Sequence, residues 1–148
     1  MRLSFCRAAR VAVLCAAVTS WSSTAVVAED AAPEPVDAAM RSIYFEPGQA
    51  AISDSFRPIL RGNVMTIAEH PDWRYVVISG HCDAMEVESS AGCPDALRAE
   101  AVRSALVKLG ANPVMLRTEK HGARAPAIHG DVEAARRYNR RVDFSAWH

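Results

Sequence analysis

Beyond residue 28 the sequence contains no apolar run long enough to cross a bilayer, which takes about 20 residues as a helix, so this part is expected to be soluble. It also has no basic tract. Three of the 17 basic residues, Arg2, Arg7 and Arg10, lie near the start, leaving 14 against 17 acidic residues, a formal charge near −3 (14 − 17). That balance argues against nucleic acid as a partner. There is no internal repeat. No serine or cysteine is arranged with a histidine as a nucleophile, and no carboxylate pair has the layout of a glycosidase, so neither an enzyme nor a cofactor is expected. Cysteine is scarce too: past residue 28 only Cys82 and Cys93 remain.

What is present begins with an export signal. Arg2, Arg7 and Arg10 form a positive flank, Val11 to Val18 is a short apolar run, and Val26-Val27-Ala28 suits cleavage. Residues 1–28 are therefore expected to be a signal peptide that delivers the chain to the periplasm. Cys15, preceded by Ala12-Val13-Leu14, lacks the small neighbour of a lipid-attachment site, and no β-barrel is expected ahead of the domain. Residues 29–41, with the acidic, Ala- and Pro-containing stretch Glu29 to Pro35, read as a flexible linker. Residues 42–148, about the size of one domain with one core, are expected to fold.

Within that domain, Ser42 to Phe45 reads as a strand. Ser53 to Ser55 offers cap chemistry for a helix reaching His70, with Phe56, Leu60, Val64 and Ile67 on one face. Trp73 to Ser79 is the strongest strand, and its Val76-Val77-Ile78 run suggests both faces are covered. The segment Ala84 to Pro94 reads as a loop. Asp95 caps a second helix, whose stripe is Leu97, Ala101, Val102, Ala105, Leu106 and Leu109, and Gly110 stops it. A third strand follows over Val114 to Lys120, then a Gly- and Pro-punctuated loop, a short helix after Asp131, and a last strand at Arg141 to Phe144. The order βαβαβ(α)β predicts an α+β, two-layer sandwich with right-handed crossovers and helices on one side of a mixed sheet.

Three segments in order carry a family resemblance: Gly80-His81-Cys82-Asp83, Leu97-Arg98-Ala99-Glu100-Ala101-Val102, and Asn139-Arg140-Arg141-Val142. Together with Tyr44-Phe45 and the Gly122…Pro126 loop, they make residues 43–144 resemble the OmpA/Pal/MotB peptidoglycan-binding domain. The resemblance implies that Asp83 and Arg98 face one cleft and hold the diaminopimelate tip of a peptidoglycan stem peptide, anchoring the protein to the cell wall. Other envelope proteins are a further class of partner, and association with the outer membrane is a further expectation. The chemistry suits such a guest: Asp83 can accept from its ammonium, and the Arg98 fork can take its carboxylate in a bidentate bond. The plain alternative is that Asp83 and Arg98 simply pair with each other on a solvated surface, worth about 0–1 kcal/mol. Of Arg140 and Arg141, one should line the cleft, and the family's pattern favours Arg140; the alternative has both solvated or tying down the C-terminus. The resemblance gives His81 a structural role, its ring hydrogen-bonded beneath the loop. Asn139 is expected to orient the turn into the last strand.

The chain departs from the family's pattern at Cys82, at Ala91 where asparagine is usual, at Pro94 where an apolar residue is usual, at Pro47-Gly48, and at Lys120. The changes at Ala91 and Pro94 fall on the ligand-facing loop and bear on affinity. A chain that keeps the fold while losing wall affinity is therefore the alternative function. Cys82 and Cys93 flank that loop. In an oxidising compartment they are expected to form a disulfide that holds it in shape. The rival is a redox or metal site from His81, Cys82, Asp83 and Cys93. It is disfavoured because adjacent strand residues point to opposite faces, and no metal is expected.

Overall fold

The computed structural model describes residues 35–36 and 40–148. The expected signal peptide lies outside the described residues. Five strands form one mixed sheet: β1 (Pro35–Val36), β2 (Ile43–Tyr44), β3 (Tyr75–His81), β4 (Leu116–Gly122) and β5 (Arg141–Trp147). The order is β1-β5-β3-β4, and β2 also pairs with β5. β4 runs parallel to β3, whereas β5 is antiparallel to β3, β2 and β1. Backbone pairing of residues 35–36 with Ala146 and Trp147 thus adds a strand within the stretch read from sequence as linker.

The helices are α1 (Arg57–Glu69), α2 (Ala84–Glu88), α3 (Asp95–Lys108) and α4 (Glu133–Asn139). Among them, α1 and α3 cover one face of the sheet. Leu60 and Ile67 of α1 and Ala99, Val102 and Leu106 of α3 share a core with Val76, Ile78, Val142 and Ala146 of the strands. Val77 points the other way, as strand alternation requires, and is also buried. The expected α+β sandwich is therefore the architecture found. Among the described residues no helix is long and apolar enough to cross a membrane.

Several local expectations change. Ser53 makes no capping bond, because a 3-10 turn over Asp54–Phe56 comes between it and α1. Asn63, unremarked in the sequence, is buried in α1 and grips Arg41 through both its side-chain oxygen and its side-chain nitrogen (2.9 Å each). The folded unit therefore takes in the end of the predicted linker.

The inward stripe of α3 is also different. Asp95, Arg98, Ala99, Val102 and Leu106 are buried, whereas Leu97 is 67% exposed and Leu109 40% exposed. Leu97 lies five positions from Val102, about 140° around a helix, so the two cannot both face in. Gly80 explains which side wins. A Cβ at Gly80 would lie 2.0 Å from the carbonyl oxygen of Asp95 and 3.3 Å from the Ala99 Cβ. Only glycine lets the first turn of α3 press onto β3, and that contact turns Arg98 and Ala99 inward. Asp95 is helical rather than the cap; its carboxylate accepts from the N–H of Ala96 (2.7 Å) and of Gly122 (2.9 Å), tying α3 to the end of β4.

Candidate functional site

The loop between β3 and α3 is not irregular throughout. Asp83 and Glu86 close a capping box around α2: Asp83 Oδ1 accepts from the Glu86 N–H (2.9 Å), and Glu86 Oε2 accepts from the Asp83 N–H (3.2 Å). The Asp-x-x-Glu spacing is the sequence signal for this device, and it is legible without the structure. Cys82 and Cys93 are joined in a disulfide with a Cα–Cα distance of 5.9 Å, so the segment bearing α2 is a closed loop between β3 and α3. Closing a loop of this length stabilises a fold by about 3 kcal/mol on the chain-entropy model. The bridge uses both thiols, leaving the rival metal site without its sulfur ligands.

Glu86 is the residue that sequence reasoning missed. Its carboxylate is buried and receives four hydrogen bonds. Arg98 donates from Nη2 to Oε1 (2.6 Å) and from Nη1 to Oε2 (2.8 Å), Gly48 N–H donates to Oε1 (2.8 Å), and Asp83 N–H donates to Oε2. Arg98, fully buried, spends its three remaining N–H groups on carbonyls: Nε on Gln49 (2.8 Å), Nη1 on His81 (3.0 Å) and Nη2 on Glu46 (3.2 Å). A guanidinium has five N–H donors, and here all five are engaged. The Phe45 ring packs against it, 5.2 Å from centroid to Cζ. The turn that presents those carbonyls has Pro47 and Gly48 at its centre, with Gln49 N–H bonding to the Glu46 carbonyl (3.0 Å). Gly48 has φ +67°, the left-handed backbone a type II turn requires. The Pro47-Gly48 departure from the family's pattern therefore builds one wall of the Arg98 nest.

Asp83 and Arg98 do not pair with each other. Asp83 Oδ2 instead accepts from Arg140 Nη1 at 2.8 Å, and both side chains are almost entirely buried. Arg140 also donates from Nε to the Phe45 carbonyl (3.2 Å) and from Nη2 to Glu133 (2.6 Å), which leaves two of its N–H bonds uncommitted. Burial works against the charge on Arg140, but the bonds to Glu133 and Asp83 prevail and raise its pKa. The bond to Arg140, then that to Arg136, lowers the pKa of Glu133. An open groove of about 420 Å³ runs along this pair; Asp83, Glu86, Glu133, Arg136 and Arg140 supply its polar wall and Ala91 part of its rim. Arg98 does not line it.

Arg141 points to the other side of β5. It donates from Nε to Asp143 (2.7 Å) and from Nη2 to the Ala125 carbonyl (3.2 Å), so it pins the late loop instead of lining the groove. Asn139 does likewise: its side chain clamps both the N–H (3.1 Å) and the carbonyl (2.9 Å) of Ile128, rather than orienting the turn into β5.

His81 is buried against His121, the rings stacked with centroids 5.1 Å apart. Contrary to expectation, its ring is not hydrogen-bonded beneath the loop. Nδ1 has no partner, and Nε2 stands 3.5 Å from Asp143, too far for a good bond. Burial, then the charge of Arg141, lowers its pKa to about 4 against the pull of Asp143. The unfolded chain, with an ordinary value near 6.5, takes up this proton first as pH falls. Stability from neutral His81 is thus complete above about pH 6.5 and is lost on acidification toward about 4. Urea unfolding at pH 7 and pH 4.5 should show His81→Phe losing about 1–3 kcal/mol less than wild type across that interval.

Known proteins share this outline. The model of the OmpA family matches residues 44–140. The peptidoglycan-associated lipoprotein from Burkholderia pseudomallei is 26% identical, with a TM-score of 0.62 over 73% of this chain and 90% of that one. The C-terminal domain of Helicobacter pylori MotB is 23% identical, with a TM-score of 0.61 over 70% of this chain and 81% of that one. The OmpA-like domain of FopA1 from Francisella tularensis, 16% identical, gives 0.56 over 71% of this chain and 68% of that one. No curated protein matches the chain.

Proposed function

The chain belongs to the OmpA family, and on that premise we propose that it binds peptidoglycan non-covalently, through the groove beside Asp83, taking the diaminopimelate end of a stem peptide as its guest. One observation carries this reading: a buried carboxylate–guanidinium pair, Asp83 with Arg140, forms the wall of an open groove. A zwitterionic tip has one ammonium and one carboxylate. Asp83 accepts from the first, and Arg140, with its two uncommitted N–H bonds, takes the second alongside Arg136. The solved relative whose name records an association with peptidoglycan supports the choice of guest. The action is binding, without cleavage, and the periplasm is where an exported chain of this kind would meet the wall. Other envelope proteins are the further partners of this reading.

A second reading is favoured by a specific contact. Arg98, the cation that the family resemblance assigns to the guest's carboxylate, is saturated by Glu86 and three carbonyls. With Ala91 and Pro94 on the loop, that contact favours an envelope interaction protein of weakened wall affinity.

Sedimentation with purified sacculi decides between them. Wild type should pellet and be released by free meso-diaminopimelate. Asp83→Asn keeps the capping oxygen but removes the charge that meets the ammonium, and should lose about tenfold or more in affinity. Ala91 is exposed on the groove's rim, so Ala91→Trp should fill the groove and stay in the supernatant with its melting temperature unchanged. Wild type remaining in the supernatant leaves the second reading standing.

A further inference from the structure

The Arg98–Glu86 contact has the form of a ligand complex. Two parallel N–H···O bonds join a guanidinium fork to both oxygens of one carboxylate, at 2.6 and 2.8 Å. This is the geometry by which arginine recognises a free carboxylate guest. The remaining donors of Arg98 are held by the backbone of Glu46, Gln49 and His81, so the fork is aimed independently of Glu86. Glu86 also lines the groove, whereas Arg98 does not. The Glu86 side chain is therefore what stands between the groove and the fork.

We propose that Glu86 is an internal stand-in for a guest carboxylate: it occupies the Arg98 seat, confines the wild-type protein to what Asp83 and Arg140 can hold, and its removal opens a second carboxylate-binding subsite onto the groove. The proposal rests on the wall-binding reading for the identity of the natural guest, but not for the chemistry of the seat. The effective concentration of an attached carboxylate is high, so a dissolved one competes poorly while Glu86 is in place. Binding through this fork thus requires loss of the Glu86 contact. Because Glu86 also completes the α2 capping box, its departure would loosen the loop bearing Asp83.

The experiment is rescue of Glu86→Ala by small carboxylates, followed by thermal unfolding of the disulfide-intact protein. Acetate should raise the melting temperature of Glu86→Ala by several degrees more than acetamide at equal concentration, and leave wild type unmoved. A variant that folds only in acetate supports the seat equally well. Equal effects of acetate and acetamide overturn the proposal. Glu86→Gln keeps the side-chain volume and one acceptor, and serves if Glu86→Ala does not fold under any condition. Its affinity for free meso-diaminopimelate, measured by calorimetry, should exceed that of wild type several-fold, and an unchanged or lower affinity overturns the proposal. Sacculi separate this outcome from the wall-binding reading. Acetate rescue without sedimentation of wild type or variant removes the wall and keeps the seat. Sedimentation of wild type without rescue does the reverse.

Discussion

Arg98→Ala should be so destabilised, by about 3–5 kcal/mol, that much of the protein is unfolded at moderate temperature, whatever becomes of wall binding. The substitution strands Glu86 as a buried carboxylate without its cation, and breaking one side of a buried ion pair costs about that much. It also leaves the Gln49, Glu46 and His81 carbonyls without the donor that joins them, so the β2–α1 turn and the end of β3 lose a common tie. The measurement is a urea midpoint followed by circular dichroism, with the disulfide intact. A stability within about 1 kcal/mol of wild type, less than the penalty for stranding a buried charge, would show that Arg98 is not a structural hub. Loss of sacculus binding by Arg98→Ala therefore does not separate lost fold from lost recognition. Asp83→Asn, which breaks the buried pair with Arg140, needs its melting temperature beside it, and Ala91→Trp is the informative variant.

Gly80→Ala should cost about 3 kcal/mol or more, although it adds only one methyl group to a strand. Alanine's backbone angles are acceptable in a strand; the difficulty is space. The new Cβ would stand 2.0 Å from the Asp95 carbonyl oxygen and 2.8 Å from its carbon, and both belong to backbone that cannot rotate away. Either α3 lifts off β3, opening the core around Ala99 and Val102, or β3 bends away from β4 and β5. Overpacking in a rigid interior commonly costs about 1–3 kcal/mol, and a clash against main chain lies at the top of that range. Thermal melting of Gly80→Ala against Gly62→Ala checks the cause. Gly62 has open space where its Cβ would go, so that change should be neutral or slightly stabilising, because alanine favours a helix.

Hydrophobic periodicity was enough to place four of the five strands and the two long helices, because the period follows from local backbone geometry, but it did not decide which face of α3 turns inward. The motif residues were legible through the family resemblance. Asp83 follows β3 and caps α2, Arg98 lies in the first turn of α3, and of the two arginines at the start of β5 the family's pattern favoured Arg140. The cysteine pair was legible from chemistry and compartment. Even the capping box is readable from Asp83 and Glu86, since three-residue spacing at a helix start is a local rule.

Which acid meets which base was not legible. Arg98 is twelve residues from Glu86 and Arg140 is 57 residues from Asp83. No periodicity relates positions so far apart. The pairing depends on the distance to which Gly80 lets α3 approach β3 and on the turn at Pro47-Gly48 that supplies carbonyls from the other side. Charges are promiscuous in sequence because any acid can serve any base. They become selective only when packing removes water and leaves each guanidinium within reach of one carboxylate. Most of the order of elements thus came from the chain's local pattern and the candidate site residues from its motifs, whereas the choice of partners, and with it the filling of the Arg98 fork by Glu86, came from long-range packing.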